Sequence, residues 1–558
     1  MNILEKNIKY LCIPLSGKIK DALEVIQKNS ERICFVVDKK KTLVSSVSDG
    51  DIRRGLLSGI KLSDKITLVH NTQFEFLEEG YHLNHAYKKF IGKISIIPVI
   101  NKKGIFVGVV KKHDLVPFLD IRSKKILVVG LGYVGLTLSL VLAESGFSVI
   151  GYDKNKNTLD KIKKKEPPFY EKGLERYLHE NVGKNFTIST KPVISDVYIL
   201  TVGTPLVKGS LNPDLSILKK SILDICKLLK KNDLIILRST IPVGCTRKTV
   251  IPLIEKKTGL KFGKDLFLAF CPERTIEGQA IEELKKLPQI IGSVCKKSSE
   301  LAKRIFGEYN HTVIEVSDLE SAELAKLIDN SYRDTIFAYS NQLALLTEKL
   351  NLDLVEIIEK VNLGYKRNQI PKPSPGVGGP CLSKDPYILS HAFKEQKMDQ
   401  NNLIYHSRKV NESMPKEIVK RINKILNLLK KNKNAKIFIT GFAFKGYPET
   451  SDLRSSTTLF FLEELKKTKF KNIWCHDFKV SQKDLKKISI KTCTIKEGFK
   501  NADAVFIMNN HKKYEDLNIF NLVNSAKKPV LFFDSWQIFD PYEIKNIKNV
   551  HYASVGSG

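Results

Sequence analysis

From Lys124 onward, short apolar runs alternate with stretches in which apolar residues recur at helical spacing. KKILVVG, FSVIGYD, VYILTVG, LIILRST and LFLAFCPE are continuous apolar runs of strand length. That is the pattern of strands buried on both faces of a parallel sheet, with helices between them covering those faces. From roughly Asp318 to Leu350 the spacing is helical without an internal Gly or Pro, which predicts one long helix. A loop rich in Pro and Gly, IPKPSPGVGGPC, follows it. From about Ala435 the alternation starts again through KIFITGFAFKG, NIWCHDF, ADAVFIMNN and PVLFFDSW. The predicted partition is a doubly wound α/β domain over 121–316, a helical middle over 317–420 and a second α/β domain over 421–558.

The first 120 residues carry a different pattern. RICFVVDKKKTLVSSVSDGDIRRGLL (Arg32 to Leu57) is echoed by ISIIPVINKKGIFVGVVKKHDLV (Ile94 to Val116). Each copy reads strand, polar turn, strand, then a helix opened by an acidic residue. The pair resembles a tandem CBS (α+β) module over 1–120, a type of domain that often binds adenine nucleotides. The resemblance implies ribose contacts from Asp51 and Asp114. The simpler reading, ranked ahead of it, is that each aspartate caps its helix.

Composition narrows the class. Hydrophobic content of 42% with 27% charged residues is that of an ordinary globular protein. The net charge of +32 arises from lysines spread along the whole chain, with no basic block interleaved with aromatics. This favours solvated lysine faces over a nucleic-acid surface, while still attracting an anionic, phosphate-bearing substrate. No apolar run reaches the roughly 18 residues of a membrane span, and no signal peptide is evident. The nine cysteines are scattered without CxxC pairing, which argues against a disulfide framework or a zinc site. A reducing, cytoplasmic setting is expected.

Gly130, Gly132 and Gly135 form GxGxxG after a strand and at the start of a helix. The first permits a tight turn, the second a close approach of backbone amides to a pyrophosphate, and the third close helix–strand packing. Tyr133 and Val134 lie inside the motif. Asp153 ends the next strand, where a carboxylate takes ribose hydroxyls and repels a 2′-phosphate. Both α/β domains are accordingly read as Rossmann-like, and the first as binding NAD rather than NADP.

Three stretches suggest chemistry. Cys381, in PGVGGPCLSKDP, has room for a substrate carbon beside its sulfur, with Lys384 near enough to favour thiolate. Alone, such a cysteine is more often a small buried hydrophobe. Lys326 and Asn330 stand four apart on one helix face, able to stabilise an oxyanion or to be an ordinary solvated pair. Glu273, in CPERTIEG, is a candidate base, or else a helix cap or the partner of Arg274.

GLGYVG, VGTP (Val202 to Pro205), RSTIPVG, CPERTIEG, AELAKLIDN, GVGGPCLSKD and GFAFKGYPETSDLRSS occur in this order. Together these seven motifs resemble the UDP-glucose/GDP-mannose dehydrogenase family over nearly everything from residue 124. The resemblance implies a four-electron oxidation of a sugar C6 hydroxymethyl to an acid, using two NAD. It implies Cys381 as nucleophile, Lys326 and Asn330 as oxyanion stabilisers, and Asp385 as partner of Lys326. Glu273 would serve thioester hydrolysis, Thr240 would hold water and Thr204 would lie against the cofactor. Lys445, Arg454 and Gly378 would hold substrate, and Arg367 would reach the substrate of a neighbouring subunit in a homo-oligomer, at least a dimer. A role in polysaccharide biosynthesis is the family's implication too. A plain two-electron alcohol dehydrogenase and a catalytically silent nucleotide sensor are the rival readings.

PERTIEG, LPQIIG and PSPGVGG look more like the branch acting on UDP-N-acetylhexosamines, the mannosamine or glucosamine forms. Pro380 and SKDP look closer to the glucose branch, where the former would carry histidine before the nucleophile and VDP after it. The favoured substrate is a UDP-N-acetylhexosamine, with UDP-glucose as alternative.

Overall fold

The computed structural model describes residues 4–81, 86, 89–90, 94–112, 121–399 and 402–557. The chain divides into two compact units, Met1–Ser123 and Lys124–Gly558, so the division falls three residues beyond the predicted one.

The first unit repeats one sheet twice. Strands β1 (Cys12–Pro14), β2 (Ile33–Val37) and β3 (Leu43–Ser48) form one; β4 (Leu77–Glu78), β5 (Ile96–Ile100) and β6 (Phe106–Lys111) form the other. In both, the first pair is parallel and the second antiparallel. Both shift register at the same place, between Val36 and Val37 and between Val99 and Ile100. The internal repeat read from the sequence is thus a repeat of topology, down to the bulge. Asp51 lies in the first turn of the helix Asp49–Leu57, where Ser48 N and Oγ donate to its Oδ2 at 2.9 and 2.7 Å. Asp51 N in turn donates to Ser48 Oγ, completing a capping box. The capping reading of Asp51 therefore holds. Asp114 lies outside the described residues.

The second unit contains two sheets. The first runs β9 (Phe186–Ser189), β8 (Ser148–Tyr152), β7 (Lys125–Val129), β10 (Val197–Leu200), β11 (Leu234–Leu237), β12 (Phe267–Phe270), β13 (Gln289–Ser293), β14 (Val313–Glu315). The first six are parallel in Rossmann order, and β13 joins antiparallel to β12. The second sheet repeats that order, with β17 (Lys491–Thr492), β16 (Ile473–His476), β15 (Ile437–Thr440), β18 (Ala504–Ile507), β19 (Val530–Asp534) and β20 (Val550–Ser554), all parallel. Every residue of β10, β11, β12, β15 and β18 is buried, which is why those runs read as unbroken apolar segments. Of the remaining strands, β9, β13, β14, β17 and β20 escaped the sequence reading because they are short, partly exposed or at sheet edges.

Between the sheets runs the expected long helix, Leu319–Leu350, its first turn capped by Asp318 accepting from Ser321 N at 2.7 Å. It packs against helices Asp385–Glu395 and Leu403–Leu428. The cysteine loop crosses between them.

Candidate active site

In the first Rossmann domain the strand β7 ends in a turn with Gly130 at φ +95°, a region a Cβ would strain. A Cβ on Gly135 would collide with the Gly130 carbonyl oxygen, whereas nothing lies near Gly132. Thr201 Oγ1 donates to the carbonyl oxygens of Val129 and Gly130 at 3.0 and 2.7 Å, fixing the turn. The helix Tyr133–Glu144 begins at Gly132 with no side chain capping it. Its first amides, those of Tyr133 and Val134, are left for an anion. Asp153 accepts from Leu131 N at 2.7 Å through one oxygen and from Asn155 N at 2.8 Å through the other. Each oxygen keeps a lone pair for a ribose hydroxyl. The cradle fits a dinucleotide, and Thr204, buried beside it, donates its hydroxyl to the Thr240 carbonyl.

The reactive stretches meet on the long helix. Lys326 and Asn330 are both buried, so the solvated-pair reading fails. Asn330 Nδ2 donates to Asp385 Oδ2 at 2.6 Å, and Lys384 Nζ reaches Asp385 Oδ1 at 2.5 Å. Asp385 itself is fully buried at the start of its helix. These bonds dock the cysteine loop onto the helix bearing Lys326. Solvent reaches Cys381, yet it stands in a crevice crowded by protein, and that burial raises its thiol above the ordinary value. Asp385 and Glu277 raise it further, and Lys326 and Lys384 lower it without prevailing. Lys384 thus acts in the thiolate direction, as expected, but it is also paired with Asp385 and is outweighed by burial.

Glu273 is buried, and its partner is Arg238, not Arg274, which pairs with Asp329 at 3.1 Å. Burial works to raise the Glu273 carboxyl. Arg238, the Thr275 N–H at 2.6 Å and the Lys326 charge outweigh it, and the carboxyl lies below its ordinary value. Such a group stays anionic and is a weak proton acceptor. Glu277, four residues on, is poised differently. Burial, then Asp452, push it up to about 7 against Arg454 and Lys445, and its Oε2 has no hydrogen-bond partner among the described residues.

Two further groups come from the second Rossmann domain. Lys445 Nζ donates to the Glu277 carbonyl at 2.6 Å; burial and then Arg333 bring the amine down to about 8. Arg454 is held by Asp452 at 2.7 Å and reaches Glu277 at 3.3 Å, over the Tyr133 ring. Tyr133 stacks on Phe169 with centroids 3.9 Å apart. Gly378 packs backbone to backbone against Ser455, and Gly379, at φ +94°, lies 2.7 Å (from an added Cβ) from the Phe444 ring. Arg367 is the sequence candidate that this site does not include. It lines a separate cavity of 570 Å³ with Tyr332, Tyr339 and Leu403.

Arg238, Glu277 and Arg408 were not singled out from the sequence. Arg238 and Glu277 stand inside quoted motifs, RSTIPVG and CPERTIEG, where a charged residue with no assigned role was the available signal. Arg408 had none.

Two dinucleotide-type folds enclosing a cysteine, a buried lysine and buried carboxylates define a nucleotide-dependent oxidoreductase. Residues 124–310 match the NAD binding domain, 320–413 the central domain and 438–541 the UDP binding domain of the UDP-glucose/GDP-mannose dehydrogenase family. The chain belongs to that family. The UDP-N-acetyl-D-mannosamine dehydrogenase of Methanocaldococcus jannaschii is 34% identical over 409 residues, covering 73% of this chain and 90% of that one. That of Campylobacter jejuni is 32% identical, covering 72% and 99%. The solved UDP-D-ManNAc dehydrogenase from Pyrococcus horikoshii superposes with a TM-score of 0.70 at 30% identity, over 78% of this chain and 99% of that one. No family match falls on the N-terminal unit. No helix among the described residues is long and apolar enough to cross a membrane.

Proposed function

We propose that the chain oxidises the C6 hydroxymethyl of a UDP-N-acetylhexosamine, foremost UDP-N-acetylmannosamine, to the uronic acid. The observation that carries this reading is the buried Asn330–Asp385 hydrogen bond, which sets the Cys381 loop on the helix of Lys326. The names of the similar proteins weigh for mannosamine over glucosamine and over UDP-glucose.

NAD, held at Gly130, Gly132, Gly135 and Asp153, supplies hydride acceptance in each of two oxidations. Lys445 and Arg454 hold the diphosphate, with Gly378 leaving room beside it. In the first oxidation the C6 carbon loses its hydride to the cofactor and the C6 hydroxyl its proton to solvent water, giving the aldehyde, while Lys326 and Asn330 donate to that oxygen as negative charge develops there. Cys381 Sγ bonds to C6 of the aldehyde as the thiol proton passes to the carbonyl oxygen. Loss of a second hydride and of that hydroxyl proton leaves a thioester on Cys381. Water, held by Thr240 and Asp385, then attacks; the C–S bond breaks and the thiol is restored with the carboxylate. Glu273 is held by Arg238 and the Thr275 amide, whereas Glu277 Oε2 has no hydrogen-bond partner among the described residues and its carboxyl is pushed up to about 7, so Glu277 takes the water's proton and Glu273 orients it.

The N-terminal repeat is a CBS-like pair acting as a regulatory or assembly module, with adenine nucleotides as candidate ligands. Asp51's capping bonds leave it little capacity for ribose. The assembly is a homo-oligomer, and Arg367, outside the cleft, serves a neighbouring subunit. The product feeds polysaccharide synthesis.

The test is NADH formed per sugar consumed across UDP-ManNAc, UDP-GlcNAc, UDP-glucose and UDP-galactose. Two NADH from UDP-ManNAc support the reading; one NADH, with an aldehyde product, sinks the thioester role of Cys381.

A further inference from the structure

Arg408, on the helix Leu403–Leu428, is the bulkiest fully buried side chain among the described residues. Its Nη1 donates to Asp334 Oδ1 at 2.7 Å and to the Leu382 carbonyl at 3.1 Å, and its Nη2 to the Val377 carbonyl at 2.8 Å. Those two carbonyls bracket Cys381, one four residues before it and the other directly after. Asp334 belongs to the long helix, one turn beyond Asn330, which is one turn beyond Lys326. One guanidinium therefore ties both flanks of the cysteine to the helix that carries the two oxyanion donors. Asn411 extends the tie, donating to Asp334 Oδ1 and O at 2.8 Å each and accepting from Asn341 at 2.9 Å; Asn341 in turn accepts from Ser374 N at 2.8 Å.

Stability does not account for this arrangement. A buried ion pair recovers little beyond its desolvation cost, and apolar packing of similar volume would hold the helices as well. The pair is also incompletely bonded: Asp334 Oδ2 has no hydrogen-bond partner among the described residues, and Arg408 Nε faces only Glu412 at 3.6 Å. What apolar packing would not provide is direction. A planar guanidinium fixes two carbonyl oxygens and a carboxylate in one plane, and thereby the course of the loop between them.

We infer that Arg408 is a positioning residue, holding Cys381 over C6 so that the aldehyde is captured as it forms. The inference rests on the four-electron reading above. Hydride removal from the alcohol depends on the cofactor and the Lys326 helix; retention of the aldehyde depends on where the sulfur stands. A loosened loop should therefore separate the two steps, whereas a general loss of stability would slow both together.

The experiment uses the full chain with Arg408→Met, and with Arg408→Met/Asp334→Asn so that no lone carboxylate is buried. Wild type should give two NADH per UDP-ManNAc and no aldehyde captured by a hydrazide probe. The variants should fall toward one NADH per sugar with captured aldehyde, while NAD affinity stays within about twofold. Without any ligand, the pH profile of iodoacetamide labelling on the Cys381 peptide should move downward, because a loosened loop relieves the burial that is the largest cause of the raised thiol. A folded variant that keeps two NADH per sugar, or an unmoved labelling profile, overturns the positioning role. One NADH per sugar from wild type would instead remove the four-electron reading, and this inference with it.

Discussion

Arg238 offers the sharpest test of the site's electrostatics. Its side chain is 1% exposed and that of its partner Glu273 is 7% exposed. It also donates to Gln289 Oε1 at 2.7 Å and to the Cys271 carbonyl at 3.2 Å. Arg238→Met leaves the Glu273 carboxylate buried with the Thr275 amide and the more distant Lys326. Breaking a buried pair in this way costs about 3–5 kcal/mol. The carboxylate has an escape, which is to take up a proton. At about pH 7, protonating a glutamate whose unfolded value is about 4.3 costs roughly 2.7 × 1.36, or about 3.7 kcal/mol. The electrostatic loss is thus capped near that figure, and at about pH 5 the cap falls to roughly 1 kcal/mol. The sign follows from the depressed native value of Glu273. Wild-type stabilisation from this group is full above the unfolded value and is lost as pH falls through the native one. Thermal unfolding of wild type and variant at both pH values is the assay, with a midpoint drop of roughly 4 °C near neutrality that shrinks at pH 5. Arg238→Met/Glu273→Gln should recover most of it. A deficit of the same size at both pH values, or no recovery in the double variant, would refute the reasoning.

Other perturbations follow from the same geometry. The profile of kcat/KM against pH should rise near 7, as Glu277 loses its proton, and fall near 8, as Lys445 loses its own; Glu277→Gln should abolish the acid limb, and its survival would reassign the base. Gly135→Ala drives a Cβ into the Gly130 carbonyl, so calorimetry should show NAD affinity down at least tenfold with a stability loss of roughly 1–3 kcal/mol; unchanged affinity would refute the cradle. Removing residues 1–120 should alter assembly, or the response of turnover to adenine nucleotides; if neither changes, the N-terminal unit has no regulatory or assembly role in this enzyme.

The two Rossmann sheets were legible because their central strands are apolar on both faces and their turns carry glycines where only glycine fits. The edge strands were not, since Val313–Glu315 and Lys491–Thr492 are short and partly exposed. The chemistry was legible where a motif kept two groups on one element, as with Lys326 and Asn330. It was not where a charge acts across elements. Arg408 lies 27 positions after Cys381 in an amphipathic helix, and its spacing looks the same whether the guanidinium faces solvent or the cysteine loop. Likewise, Lys384 beside Cys381 suggested a thiolate. Only the folded contacts show that Asp385 pairs with that lysine and that burial raises the thiol above its ordinary value.

The most direct test of the central claim is to look for the acyl group on sulfur. Glu277→Gln should slow hydrolysis, so the full-length variant would be incubated with UDP-ManNAc and NAD, quenched in acid and digested for peptide mass spectrometry. The account predicts a UDP-sugar acyl adduct on the Cys381 peptide alone, disappearing in Cys381→Ala. NADH formation by the Glu277→Gln variant with Cys381 unmodified, or an adduct on another residue, would contradict it.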